Sequence, residues 1–162
     1  MTITTAIQPI LWTEQALRIL DQRRLPGEDV YLDCTAVEEV AEAIRTLATR
    51  GAPLIGITAA YGMALAARTQ PHDTLPATAD LLASTRPTAV NLFWALDRCR
   101  AVLAARPSDP AAALLAEARA IHAEDAAACL AMAEAGAPLF PPGARLLTHC
   151  NAGALATGGI GT

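Results

Sequence analysis

Arg145-Leu146-Leu147-Thr148-His149-Cys150-Asn151-Ala152-Gly153-Ala154-Leu155-Ala156-Thr157-Gly158-Gly159 is the stretch on which the reading of the fold turns. Leu146 to Thr148 is a short apolar run that predicts a buried strand, and Asn151-Ala152-Gly153 predicts the turn that leads into a helix. Cys150 falls where strand becomes turn, the place where open α/β sheets bind ligands, beyond the carboxyl ends of their strands. A thiol there faces a helix N-terminus, whose unpaired N–H groups and dipole favour the thiolate. A free cysteine is also among the most buried residue types and often packs as a small inert hydrophobe, so both readings stay open on position alone. His149 is expected to point away from the thiol, because successive strand side chains face opposite ways.

The 162 residues suit one domain, or one and a fraction. Hydrophobic residues make up 53% and aromatic ones only 4%, so the core is ample and built for helices packed closely through alanine. The formal net charge is −4 with no run of like charges, which excludes a nucleic-acid surface. All 12 basic residues are arginine, so neither a phosphate-loop lysine nor a Schiff-base lysine lies within the sequence. Any anion must be held by arginine or by backbone N–H groups. Cys34, Cys99, Cys129 and Cys150 are too dispersed for a zinc ribbon, and His72, His122 and His149 lack ligand spacing. Reduced thiols, no metal, no cofactor and a cytoplasmic address are therefore expected. The N-terminus lacks the basic region and apolar core of a secretory signal. Gly51 to Ala67, the longest uncharged stretch, is too short and too rich in small residues for a membrane span, and reads as a buried helix.

Upstream, residues 1–34 alternate short apolar runs with turns and predict a small antiparallel β region. At Thr35 the period changes: Thr35 with Glu38 predicts a capping box, and Val37, Val40, Ala41, Ile44 and Leu47 share one face of a helix from about Ala36 to Ala48. Pro53 predicts the first position of a second helix running to about Arg68. Arg50, Gly51 and Ala52 then lie just before a helix N-terminus, an arrangement suited either to a phosphate or to an ordinary tight turn with a solvated arginine. A loop over Gln70–Pro76 and a short helix to about Ala83 follow. Arg86-Pro87 repeats the construction, with a helix to about Ala105, so that two arginines at two helix starts are placed to converge on one dianion. Ser108-Asp109-Pro110 caps a long alanine-rich helix that ends near Gly136, in which His122 and Asp125 form a surface pair. Pro141-Pro142-Gly143 is a hinge into the predicted strand.

Three blocks, in this order, resemble the 5-methylthioribose-1-phosphate isomerases of methionine salvage: Arg50-Gly51-Ala52-Pro53 with Ile55-Gly56 and Ala60-Tyr61-Gly62, Arg86-Pro87-Thr88-Ala89-Val90-Asn91-Leu92, and Thr148 to Thr157. The wider family also includes regulatory subunits of the translation-initiation exchange factor, which do not generally keep the cysteine. The resemblance implies a small antiparallel β region (1–34) and a helical N-terminal domain (35–140), followed by a Rossmann-like α/β domain of which 141–162 supply the first strand and turn. It implies Cys150 as the catalytic thiol, Arg50, Gly51, Ala52 and Arg86 as ligands of a sugar phosphate, no metal, and a homodimer. The family's aspartate acid lies beyond the cysteine block, and none of Asp33, Asp97 or Asp125 matches its motif. The chain is accordingly expected to be a truncated half, inactive alone. Isomerisation of ribose 1,5-bisphosphate and a non-catalytic regulatory role are the alternatives.

Overall fold

A computed structural model describes residues 7–161, so the first six residues of the expected β region and the final Thr162 lie outside the described residues. Ile10–Trp12 (β1), Leu17–Leu20 (β2) and Tyr31–Cys34 (β3) form an antiparallel meander in the order β1-β2-β3. Its register pairs Leu17 with Cys34 and Arg18 with Asp33. The two-residue period then sorts the faces: Leu17 and Ile19 are buried, while Arg18 turns outward and makes a two-pronged bond to the Asp33 carboxylate at 2.7 and 2.9 Å.

Five helices follow: α1 (Val37–Arg45), α2 (Ala52–Thr69), α3 (Leu75–Ser84, after a 3-10 turn at His72–Thr74), α4 (Val90–Ala104) and α5 (Pro110–Gly136). The expected capping box moves by one residue. Glu39, not Glu38, turns back on the start of α1 and accepts from the N–H groups of Thr35 and Ala36 at 2.6 and 3.1 Å. Helix α1 also stops short of Ala48, because Leu47 takes a left-handed φ of 61° and the Leu47 and Ala48 N–H groups close back onto Ile44 and Ala43. Pro87 does not open α4. It sits in a turn, with Ala89 N–H on the Arg86 carbonyl, and the helix begins at Val90. Asp109 caps α5 as expected, its carboxylate accepting from Ala112 N–H at 2.9 Å.

Helix α2 is buried on every side from Leu54 to Ala67 and packs against α1, α3, α4 and α5. Small residues make this possible. At Gly56 the α4 backbone comes so close that a Cβ would lie 2.6 Å from the Asn91 carbonyl oxygen. One continuous apolar core joins the inner face of the sheet to the helices. No helix among the described residues is long and apolar enough to cross a membrane.

The strand expected over Leu146–Thr148 is not formed. These residues are irregular, and Leu147 is 98% exposed. A parallel strand needs a neighbour to take its N–H and C=O groups, and the described residues hold only the β1-β2-β3 sheet, which pairs within itself. The helix start expected after Asn151 is likewise a run of turns, which folds back from Gly153 to Gly161 over α2 and α5.

The Gly56 crossing predicts that Gly56→Ala destabilises the protein by about 1–3 kcal/mol through overpacking, despite the better helix propensity of alanine. Gly136→Ala, where nothing lies within 4 Å, is the control and leaves stability equal or raised. Urea unfolding of both variants checks this, and an unchanged midpoint for Gly56→Ala contradicts it.

Candidate functional site

The start of α2 is built to bring backbone close to backbone. Gly51, its N-cap, has a φ of 91°, a left-handed conformation that favours glycine. A Cβ here would lie 2.4 Å from the carbonyl oxygen of Ala156. That carbonyl accepts from Leu54 N–H at 3.1 Å, so one of the three unpaired donors at this helix end, where Pro53 carries no N–H, is filled by the chain itself. The N–H groups of Gly51 and Ala52 precede it. Behind them Thr49 and Thr58, both fully buried, place their hydroxyls 3.4 Å apart, and Thr58 donates to the Leu54 carbonyl at 2.7 Å.

Arg50 is exposed and its Nε donates to the Leu47 carbonyl at 3.3 Å. It lines a cleft of about 320 Å³ together with Gln22, Pro26, Asn151, Ala152 and Leu155. Gln22 fixes the far wall by donating from Nε2 to the Leu155 carbonyl at 2.7 Å. Arg50 and the segment that follows Cys150 thus share one concavity, the first with cationic donor character and the second with backbone polar groups. Such a lining suits a small anionic, polyhydroxylated ligand.

The four cysteines divide by environment. Cys34 and Cys99 are buried, and burial pushes their thiols up to about 11 and about 12. Burial also raises the Cys129 thiol, and the Asp125 carboxylate beside it adds to the effect. Cys150 is exposed, in the irregular run that enters the cleft wall. No helix begins behind it, so the dipole expected to act on its thiol does not come from its own segment. The helix start this segment meets is that of α2, through Ala156.

Arg86 is half-buried, in the loop between α3 and α4, and is not among the residues lining the Arg50 cleft. The cleft therefore gathers Arg50 and the residues after Cys150, while Gly51 packs against Ala156 of its wall and Ala52 is not among its lining residues. A second cleft, lined by Pro53, Asn91, Trp94 and Asp125 among others, runs between the starts of α2 and α4 and the middle of α5. His122 and Asp125 correct the sequence reading. They do not bond to each other on the surface but reach the backbone of Gly158 from α5. The signal that marks them is polar side chains at half-buried positions of an alanine helix, which becomes visible only once the Gly153–Gly161 turn is seen to lie there.

The Initiation factor 2 subunit family matches residues 48–160. The methylthioribose-1-phosphate isomerase of Alkalilimnicola ehrlichii is 55% identical over 96% of this chain and 47% of its own length. That of Thioalkalivibrio sulfidiphilus is 52% identical over the same shares. Among solved structures, the 5-methylthioribose 1-phosphate isomerase of Pyrococcus horikoshii superposes with a TM-score of 0.89 at 39% identity, covering 98% of this chain and 48% of that one. The delta subunit of translation initiation factor eIF-2B from A. fulgidus gives 0.82 at 40% identity, covering 95% and 48%. The chain spans about half the length of the curated relatives it matches. With more than half of its residues inside the family match and the same arrangement of sheet and helices as the solved relatives, the chain belongs to the Initiation factor 2 subunit family.

Proposed function

We propose that this chain is the N-terminal half of an aldose–ketose isomerase that converts 5-methylthioribose 1-phosphate to 5-methylthioribulose 1-phosphate in methionine salvage. The observation that carries the reading is the meeting of Gly51 with Ala156, which puts Arg50 and the segment after Cys150 on one cleft. Relatives about half identical to it and named for that reaction support the same substrate. In this reading residues 141–162 open a Rossmann-like domain, the whole enzyme is a cytoplasmic homodimer, and residues 1–34 and 35–140 are its β region and helical domain.

The chemistry assigns the parts. Phosphate on the anomeric oxygen blocks spontaneous opening to an aldehyde, so a general acid must protonate the ring oxygen while hydrogen moves from C2 to C1. The reaction is redox-neutral, with C2 oxidised as C1 is reduced within one molecule, so it calls for no cofactor. Arg50, the Gly51 and Ala52 N–H groups and Arg86 would hold the phosphate, each charge-assisted bond contributing about 1.5–3 kcal/mol. Cys150 would stand beside C1 and C2, shuttling the proton or stabilising the transition state. The acid belongs to an aspartate whose motif none of Asp33, Asp97 or Asp125 carries.

A regulatory subunit is the second reading, favoured by the A. fulgidus initiation-factor relative that shares this architecture. The two separate on the thiol. In the full-length protein, Cys150→Ala lowers kcat for 5-methylthioribose 1-phosphate by about 10²-fold or more, and Arg86→Ala raises KM by about tenfold or more. Retained turnover in the first variant removes the thiol from the mechanism, and an unchanged KM in the second removes Arg86 from the phosphate site.

Alkylation gives an independent check. At pH 8 iodoacetamide should modify Cys150 well ahead of Cys34 and Cys99, whose burial keeps them protonated until the pH approaches about 11 and about 12. Added sugar phosphate should slow the Cys150 reaction, as read by peptide mass spectrometry. Modification of Cys150 at the same rate with and without the sugar phosphate favours the regulatory subunit.

A further inference from the structure

One polar cluster lies outside the Arg50 cleft, with Asp125 also on the wall of the second cleft between the starts of α2 and α4. On α5, His122 and Asp125 grip the two backbone groups of a single residue: His122 Nε2 lies 2.9 Å from the Gly158 carbonyl oxygen, and the Asp125 carboxylate accepts from Gly158 N–H at 2.6 Å. A carbonyl oxygen only accepts, so Nε2 carries the proton. Nδ1 then lies 3.2 Å from the Tyr61 hydroxyl, placed to accept from it. Burial pushes the Tyr61 hydroxyl above its ordinary pKa, which keeps that donor protonated. Trp12 stacks on Tyr61 with ring centroids 5.8 Å apart, so the histidine is oriented from β1 and α2 as well as from its own helix.

The fit leaves no room for side chains on the gripped segment. A Cβ at Gly158 would lie 2.6 Å from His122 Cδ2, and one at Gly159 would lie 2.9 Å from the Ala126 Cα. Two residues earlier the same segment is held by Gln22 at Leu155 and by Leu54 N–H at Ala156, the contacts that form the Arg50 cleft. The run Leu155–Gly158 is thus pinned at both ends.

We propose that His122 and Asp125 are positioning residues: by holding both polar groups of Gly158 they fix the cysteine-bearing segment against the start of α2. Neither lines the Arg50 cleft. The effect on turnover rests on the isomerase reading, whereas the effect on the segment itself does not.

The test compares His122→Ala, Asp125→Ala and His122→Gln in the full-length protein. Glutamine keeps an N–H donor near the place of Nε2. Two readouts are taken: hydrogen exchange over residues 153–161, and kcat and KM for 5-methylthioribose 1-phosphate. Both alanine variants should raise exchange over 153–161 at least tenfold while α1 and α3 stay protected. They should lower kcat at least tenfold with KM changed less than threefold, and His122→Gln should restore both. Unchanged exchange over 153–161, a rise spread over every helix, or a glutamine variant as defective as alanine overturns the proposal. A wild-type protein without isomerase activity overturns the isomerase reading alone, and exchange then decides the role of the two residues.

Discussion

The contact between Gly56 and the Asn91 carbonyl sets the spacing on which the helical layer depends. Helix α2 has no solvent face from Leu54 to Ala67, so its neighbours must all approach at distances that its side chains allow. Alanine, glycine and threonine keep those distances short, and the dispersion energy lost with small side chains is recovered through close backbone packing. A larger residue at Gly56 would move α4, and with it the loop that carries Arg86. The small-residue composition is therefore the reason two helix starts lie near one another, and the candidate site inherits its geometry from the core. Polar side chains in this core bond to nearby backbone, as the Thr58 hydroxyl does in donating to the Leu54 carbonyl, so close packing leaves no buried side-chain polar atom unpaired among the described residues.

Much of the architecture is legible from pattern alone. The meander follows from short apolar runs divided by turns, α2 from an uncharged small-residue run behind Pro53, and α5 from the Asp109-Pro110 start. The features that pattern misses are those set by tertiary partners. Glu39 rather than Glu38 serves α1 because the chain enters the helix one residue later. Pro87 has the φ for a first helical turn and for a type I turn alike, and the Arg86–Ala89 hydrogen bond resolves it as a turn. Leu146 to Thr148 has the composition of a strand, but strand structure is a property of pairs, and the described residues offer it no partner.

The site was legible in part for the same reason. A glycine before a proline-led helix announces a close approach, though not what approaches, and here it is Ala156. Cys150 is marked in the sequence by its block, and the structure separates it from the other three cysteines by exposure. The polar side chain of His122 on an alanine helix does not reveal its partners, which lie on α2 and in the closing turn, 61 and 36 residues away. Local spacing predicts a surface pair with Asp125, and in the structure both residues instead reach Gly158.

The bond from Leu54 N–H to the Ala156 carbonyl also constrains the order of assembly. It closes a loop of about 100 residues, whose entropy is repaid only when the intervening helices have already packed. The pairs α2–α4 and α4–α5 meet across far shorter stretches of chain and form without it. The first turn of α2 is thus completed by a segment about 100 residues further along the chain. Core and cleft thus differ in closure entropy: the helix pairs meet over short stretches of chain, and the anion-facing end of α2 closes over about 100 residues.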